Sequence, residues 1–184
     1  QLSAGDSFNC AILDGGDVKC WGYNGNGQLG LGSYSSRGDN PNEMGDNLPA
    51  LALGQPAVDV SAGNNHACAV LLDGTLKCWG HNGYGQLGLG DTSTRTSPVT
   101  VGLGAGMVAR GVEAGTDETC VIMVSGQVKC WGRDYRGVLG NPDSGGYADY
   151  FGNQAGETAD ALPFIDFGPS RTAVSLSLKS HTAC

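Results

Sequence analysis

One thirteen-residue pattern occurs three times without gaps. Cys10–Gly22, Cys68–Gly80 and Cys120–Gly132 each read Cys, nine residues, Cys-Trp-Gly. A repeat of this kind constrains the fold more than any other feature, because each copy must take up the same local structure and bury its apolar side against its neighbours. Each copy is followed by a glycine-rich element: Gly27-Gln28-Leu29-Gly30, Gly85-Gln86-Leu87-Gly88 and the drifted Gly137-Val138-Leu139-Gly140. Each is preceded by Ala-Gly, at Ala4-Gly5, Ala62-Gly63 and Ala114-Gly115.

The cysteine spacing fits a β-hairpin closed by a three-residue loop: Asp14-Gly15-Gly16, Leu72-Asp73-Gly74 or Val124-Ser125-Gly126. The last loop residue is always glycine, as a turn ending in a left-handed bulge residue requires. Counting outward, the two cysteines fall on one rung, three from the closing pair. Alternation makes that rung non-hydrogen-bonded, where the close Cα approach suits a disulfide. The expected bonds are Cys10–Cys20, Cys68–Cys78 and Cys120–Cys130. Reduced buried thiols and a metal site are the alternatives. Zinc sites prefer closer cysteine pairs with further ligands, and His66, His81 and His181 lie at unmatched positions. Oxidised pairs place the chain outside the cytoplasm, in an extracellular or cell-surface setting.

Trp21, Trp79 and Trp131 end the second strand of each hairpin and, with Leu29, Leu87 and Leu139, are expected to pack repeat against repeat; an exposed ligand-stacking tryptophan is the other reading. The remaining apolar residues come in short clusters bounded by Gly, Asn, Asp or Pro, and the chain holds 32 glycines in 184 residues, so the expectation is all-β. A net charge of −8 repels nucleic acid. No apolar run is long enough to span a bilayer as a helix, so membrane insertion is not expected. The chain opens at Gln1 without a Met or leader, which reads as a processed chain or part of a longer one.

The run His66-Ala67-Cys68-Ala69-Val70-Leu71-Leu72-Asp73-Gly74-Thr75-Leu76-Lys77-Cys78-Trp79-Gly80, followed by Gly85-Gln86-Leu87-Gly88-Leu89-Gly90-Asp91, resembles the repeats of the regulator-of-chromosome-condensation family. The resemblance covers almost the whole chain and implies β-propeller blades, usually seven four-stranded ones in this family. The expected blades are residues 1–57, 58–109 and 110–172, with the start of a fourth at 173–184: three full repeats of a partial or open propeller. The family's intracellular nucleotide-exchange members do not rely on hairpin disulfides, so the likeness is to secreted, stapled blades, and exchange activity is not carried over. Cys184 has no partner in the chain. Either it opens a further hairpin beyond the given sequence, or it bridges to another molecule.

Two long inserts, 33–53 and 141–167, share a subpattern: Glu43, Asp46, Leu48-Pro49 and Gly54 against Glu157, Asp160, Leu162-Pro163 and Gly168. Their carboxylates are expected to satisfy backbone donors and their Leu-Pro to anchor the return to the sheet; a calcium site would need more oxygens than one such pair offers. Variable loops on a rigid scaffold are where recognition is expected. Candidate contact residues are Tyr34, Arg37, Tyr147, Tyr150 and Phe151, although Arg37-Gly38-Asp39 reads first as a polar turn. No nucleophile with base and orienting group, phosphate loop or metal triad is found, so neither an enzyme nor a cofactor is expected. The sequence thus points to a non-catalytic structural and protein-binding module of a secreted or cell-surface assembly, oligomeric or fibrous, whose partners are proteins or further copies and blades. The alternative is a soluble receptor or inhibitor holding a protein or glycan through its loops.

Overall fold

The structure is a computed structural model and describes residues 1–141 and 149–178. It is all-β. Three antiparallel sheets follow one another along the chain, each a meander of neighbours in sequence.

The first contains β1 (Leu2–Ala4), β2 (Phe8–Ile12) and β3 (Val18–Gly22). After it comes a 3-10 turn at Gly45–Asn47. The second sheet is β4 (Ala57–Ala62), β5 (His66–Leu71), β6 (Leu76–Gly80) and β7 (Arg95–Val101). The third is β8 (Ala109–Ala114), β9 (Glu118–Met123), β10 (Val128–Asp134) and β11 (Asp149–Phe151).

The hairpins close as the sequence requires. Leu71 N donates to Thr75 O at 2.9 Å and Gly74 N to Leu71 O at 2.8 Å, with Gly74 at φ +80°. Three rungs out, Cys68 faces Cys78, as Cys10 faces Cys20 and Cys120 faces Cys130. All three pairs are disulfide-bonded, with Cα atoms 4.1 Å apart.

Adjacent residues of a strand point to opposite faces, so the Cys-Trp steps of the second and third sheets each serve two packing layers. Trp79 lies in the apolar layer between the first and second sheets with Phe8, Val18, Leu29 and Val60. Its neighbour Cys78 lies in the next layer with Leu87, Val112, Met123 and Trp131. The core is therefore not one centre but a series of seams between blades.

Near the inner strands the blades are joined by polar contacts that recur at one period. Ser3 Oγ accepts from Ala62 N and Ser61 Oγ from Ala114 N, each at 2.9 Å. The Ala-Gly steps meet here: a Cβ on Gly5 would collide with the Gly63 carbonyl, and one on Gly63 with that of Gly115. Close backbone approach, rather than turn formation, explains why glycine recurs at this place.

The outer strand differs between blades for a definable reason. In the second, β7 pairs with β6 from Gly80↔Arg95 to Leu76↔Val101. In the first, the same two ends survive as the Gly22↔Arg37 bridge and the bond from Leu51 N to Val18 O at 2.8 Å. In the third they are Gly132↔Phe151 and the bond from Ile165 N to Val128 O at 2.9 Å. Fourteen positions separate these ends in the first and third blades and six in the second. Each insert is thus a loop spliced into the middle of an outer strand.

A fourth segment continues the pattern. Ala173 N donates to Gly126 O at 2.9 Å, as Ala57 N does to Gly16 O and Ala109 N to Gly74 O. Ala173, Leu176 and Leu178 pack on Ile122, Val128 and Leu139.

Candidate protein-interaction surfaces

The seams are built from the Trp of one blade and the glycine-rich loop of the blade before it. Trp79 Nε1 donates to Gln28 O and Trp131 Nε1 to Gln86 O, both at 2.9 Å. A Cβ on Gly30 or Gly88 would strike these indoles. Leu29, Leu87 and Leu139 are buried beneath their loops. Trp21 differs from its two counterparts in being only half-buried. No glycine-rich loop lies over it among the described residues, so its indole lacks the cover the others have.

Each glycine-rich loop is held by a side chain not singled out from the sequence. Asn24 Oδ1 accepts from Leu29 N and Asn82 Oδ1 from Leu87 N at 2.9 Å, and Asp134 Oδ1 from Leu139 N at 3.1 Å. The signal was present: an Asn or Asp stands three residues after every Trp. Within two of the loops, Gln28 and Gln86 accept from Asn26 N and Tyr84 N.

The inserts are clasped in the same way. Lys19 Nζ donates to Gly45 O at 2.8 Å. The matching Lys129 is buried and donates to Ala159 O and Asp160 O at 2.9 Å. Burial lowers the Lys129 pKa, and the Asp160 charge offsets part of that. The third-blade insert also packs on the second-blade loop, through Gly90 N to Gly152 O at 3.0 Å and Ala159 N to Gly88 O at 3.1 Å. Part of this insert is therefore scaffold rather than free recognition loop. Leu48 and Leu162 are buried as the Leu-Pro reading expects.

Arg37 is engaged inside its own blade. It forms the Gly22 bridge and lies 3.7 Å from Glu43, whose carboxylate also accepts from Gly38 N and Asn40 N. Burial would raise the Glu43 pKa, but these donors outweigh it and lower it. The Arg37-Gly38-Asp39 tripeptide is thus a hydrogen-bonded turn. Tyr34 is 59% exposed and stands apart from the other candidates. Tyr147 and Cys184 lie outside the described residues, and no group of three or more metal-ligating side chains occurs among the described ones.

Phe151 packs on the apolar layers on both sides of its blade, whereas Tyr150 meets a second-blade residue that sequence reasoning missed. The Tyr150 ring stacks on Tyr84 at 5.5 Å and 11°. His81 packs edge-on against Tyr84 at 5.8 Å, and the Arg133 guanidinium lies 5.2 Å from the Tyr84 centroid. At the seam between the first two blades the matching place holds amides instead: Asn26 and Gln28 both donate to Asn65 Oδ1. The aromatic cluster is therefore not needed to join blades.

Sequence profiles of the regulator of chromosome condensation (RCC1) repeat match residues 15–70 and 73–122, and a second form of the repeat matches 1–28 and 57–86. The chain belongs to the RCC1 repeat family. It is 36% identical over 143 residues to the ultraviolet-B receptor UVR8 of Arabidopsis thaliana, covering 78% of this chain and 31% of that protein. It is 34% identical over 141 residues to the probable E3 ubiquitin-protein ligase HERC3 of Homo sapiens, covering 77% and 13%. The chain thus spans about a third or less of these RCC1-repeat relatives. Among solved structures it superimposes on yeast RCC1 (Prp20) bound to Kap60 with a TM-score of 0.68 at 21% identity, covering 98% of this chain and 39% of that one. Human WBSCR16 gives a TM-score of 0.65 at 23% identity, covering 82% and 37%. The sheets are RCC1 propeller blades.

Proposed function

We propose that this run of RCC1 blades is a non-catalytic structural and protein-binding module of a secreted or cell-surface assembly. The observation that carries the reading is the staple in every hairpin. Three disulfides at one repeat position support an oxidising compartment, since such pairs are rare where thiols are kept reduced. The family alone does not supply a job, because an ultraviolet-B receptor and a probable E3 ubiquitin-protein ligase share the repeat and function lives in sites added to the fold. The half-buried Trp21 and the regular seams support assembly with further blades or further copies. Light scattering across a concentration series tests this. Concentration-dependent assembly is expected, and a strictly monomeric, stable 184-residue chain contradicts it.

A soluble receptor or inhibitor is the second reading, and the partly exposed Tyr84–Tyr150 stack favours it. Tyr and Arg dominate the energetic centres of protein interfaces. Capture of a discrete ligand, lost on replacing 33–53 or on Tyr150→Ala, would support the receptor. Assembly unaffected by either change would support the structural module.

A further inference from the structure

The two inserts are copies of one loop, and one copy lacks a piece that the other has. In the first blade, Glu43 accepts from two backbone N–H groups and faces the Arg37 guanidinium at 3.7 Å. The matching residue of the third blade is Glu157, and the residue in the place of Arg37 is Phe151. Glu157 Oε1 accepts from Gln154 Nε2 at 2.9 Å, but its Oε2 is out of contact with solvent and has no hydrogen-bond partner. Asn153 Oδ1, beside it, is likewise buried and without a partner. Both residues line a surface pocket walled by Asp149, Tyr150, Phe151 and Gln154.

We propose that this pocket receives the guanidinium of an arginine from a basic segment of a protein partner, completing for Glu157 the pair that Arg37 makes for Glu43. The inference rests on the protein-binding reading above and names the chemistry of one contact. Three features specify the occupant. An unpartnered carboxylate oxygen and an amide oxygen call for a donor-rich cation, and a guanidinium carries five N–H donors and no acceptor. The Tyr150 ring, 36% exposed, offers a face on which a planar cation stacks. The chain's charge of −8 draws basic segments toward it. Rotation about the last side-chain torsion turns Oε2 toward the pocket and carries Oε1 off Gln154 Nε2, so the guanidinium replaces a hydrogen bond from a neutral donor with a charge-assisted one.

The test is titration of the full chain with N-acetyl-Gly-Arg-Gly-amide, followed by the backbone amide signals of Asn153, Gln154 and Glu157. The same peptide with citrulline for arginine, which keeps the shape and loses the charge, is the control. Saturable shifts at these amides are expected, with affinity weakened about tenfold or more by citrulline or by Glu157→Gln, as loss of one charge-assisted pair implies. Glu43→Gln should leave binding unchanged. Equal binding of the citrulline peptide, no effect of Glu157→Gln, or shifts produced by calcium chloride but not by the peptide would overturn the proposal. Failure of the peptide alongside continued capture of a protein ligand would sink the pocket and spare the module. Binding of the peptide by a chain that captures no protein would do the reverse.

Discussion

At the scale of single residues, the blades share some positions and differ at others. Cys, Trp and the hairpin glycines recur because every blade needs them. His66 stands where the first blade has Phe8 and the third has Glu118, and only the structure shows its ring against Thr119 Oγ1 at 2.9 Å. Burial, then the nearby His81, lowers its pKa from 6.5 to about 3. The unfolded chain therefore takes up this proton first, and stability falls as pH drops from 6.5 toward 3. The slope from this group is about 1.4 kcal/mol per pH unit. Urea midpoints across that range should show the loss, and His66→Phe, which copies the first blade, should flatten it. An unchanged slope would remove His66 from the account. Glu113, in the register of Ser3 and Ser61, behaves oppositely. Burial, then the Asp59 charge, raises its pKa, so its contribution is present at low pH and is lost as pH rises through the folded value. Glu113→Ser should raise the unfolding midpoint at neutral pH while leaving it little changed at pH 4.

At the scale of elements, the hairpins were readable because cysteine spacing and turn glycine constrain one register between them. The outer strands were harder. Among the described residues only β7 is continuous, and in the other two blades an eight-residue-longer connection divides the strand into two separated contacts, so no run of alternating residues marks it. Shared spacing marks the inserts as related but not as parts of a strand, and nothing in the sequence marks Lys19 and Lys129 as their clasps. Replacing Lys129 by Met removes the ammonium that lies 4.9 Å from the Phe164 ring centroid and strips donors from the carbonyls of Ala159 and Asp160. A cost of about 1–3 kcal/mol is expected for buried acceptors left unpaired. Hydrogen exchange should speed up over 157–162, and unchanged exchange there would argue against the clasp.

At the scale of the whole molecule, stability is carried by seams, so equivalent residues should differ in worth according to whether their seam is filled. Trp79→Phe shrinks a buried ring and leaves Gln28 O without its donor, which should cost about 1–3 kcal/mol. Trp21→Phe should cost less than half as much, since that indole is partly in solvent. Equal losses in denaturant unfolding would contradict a seam-based core. The propeller class was legible because the repeat is; what remained hidden were contacts between blades, such as the Tyr84–Tyr150 stack, whose members lie far apart in sequence. Blade register and compartment both depend on which thiols are joined. Peptide mapping of protein from its native source, alkylated before any reduction, measures that directly. Three linked pairs are expected, Cys10 with Cys20, Cys68 with Cys78 and Cys120 with Cys130. Alkylated free thiols at these six positions, or linkage between different hairpins, would contradict it.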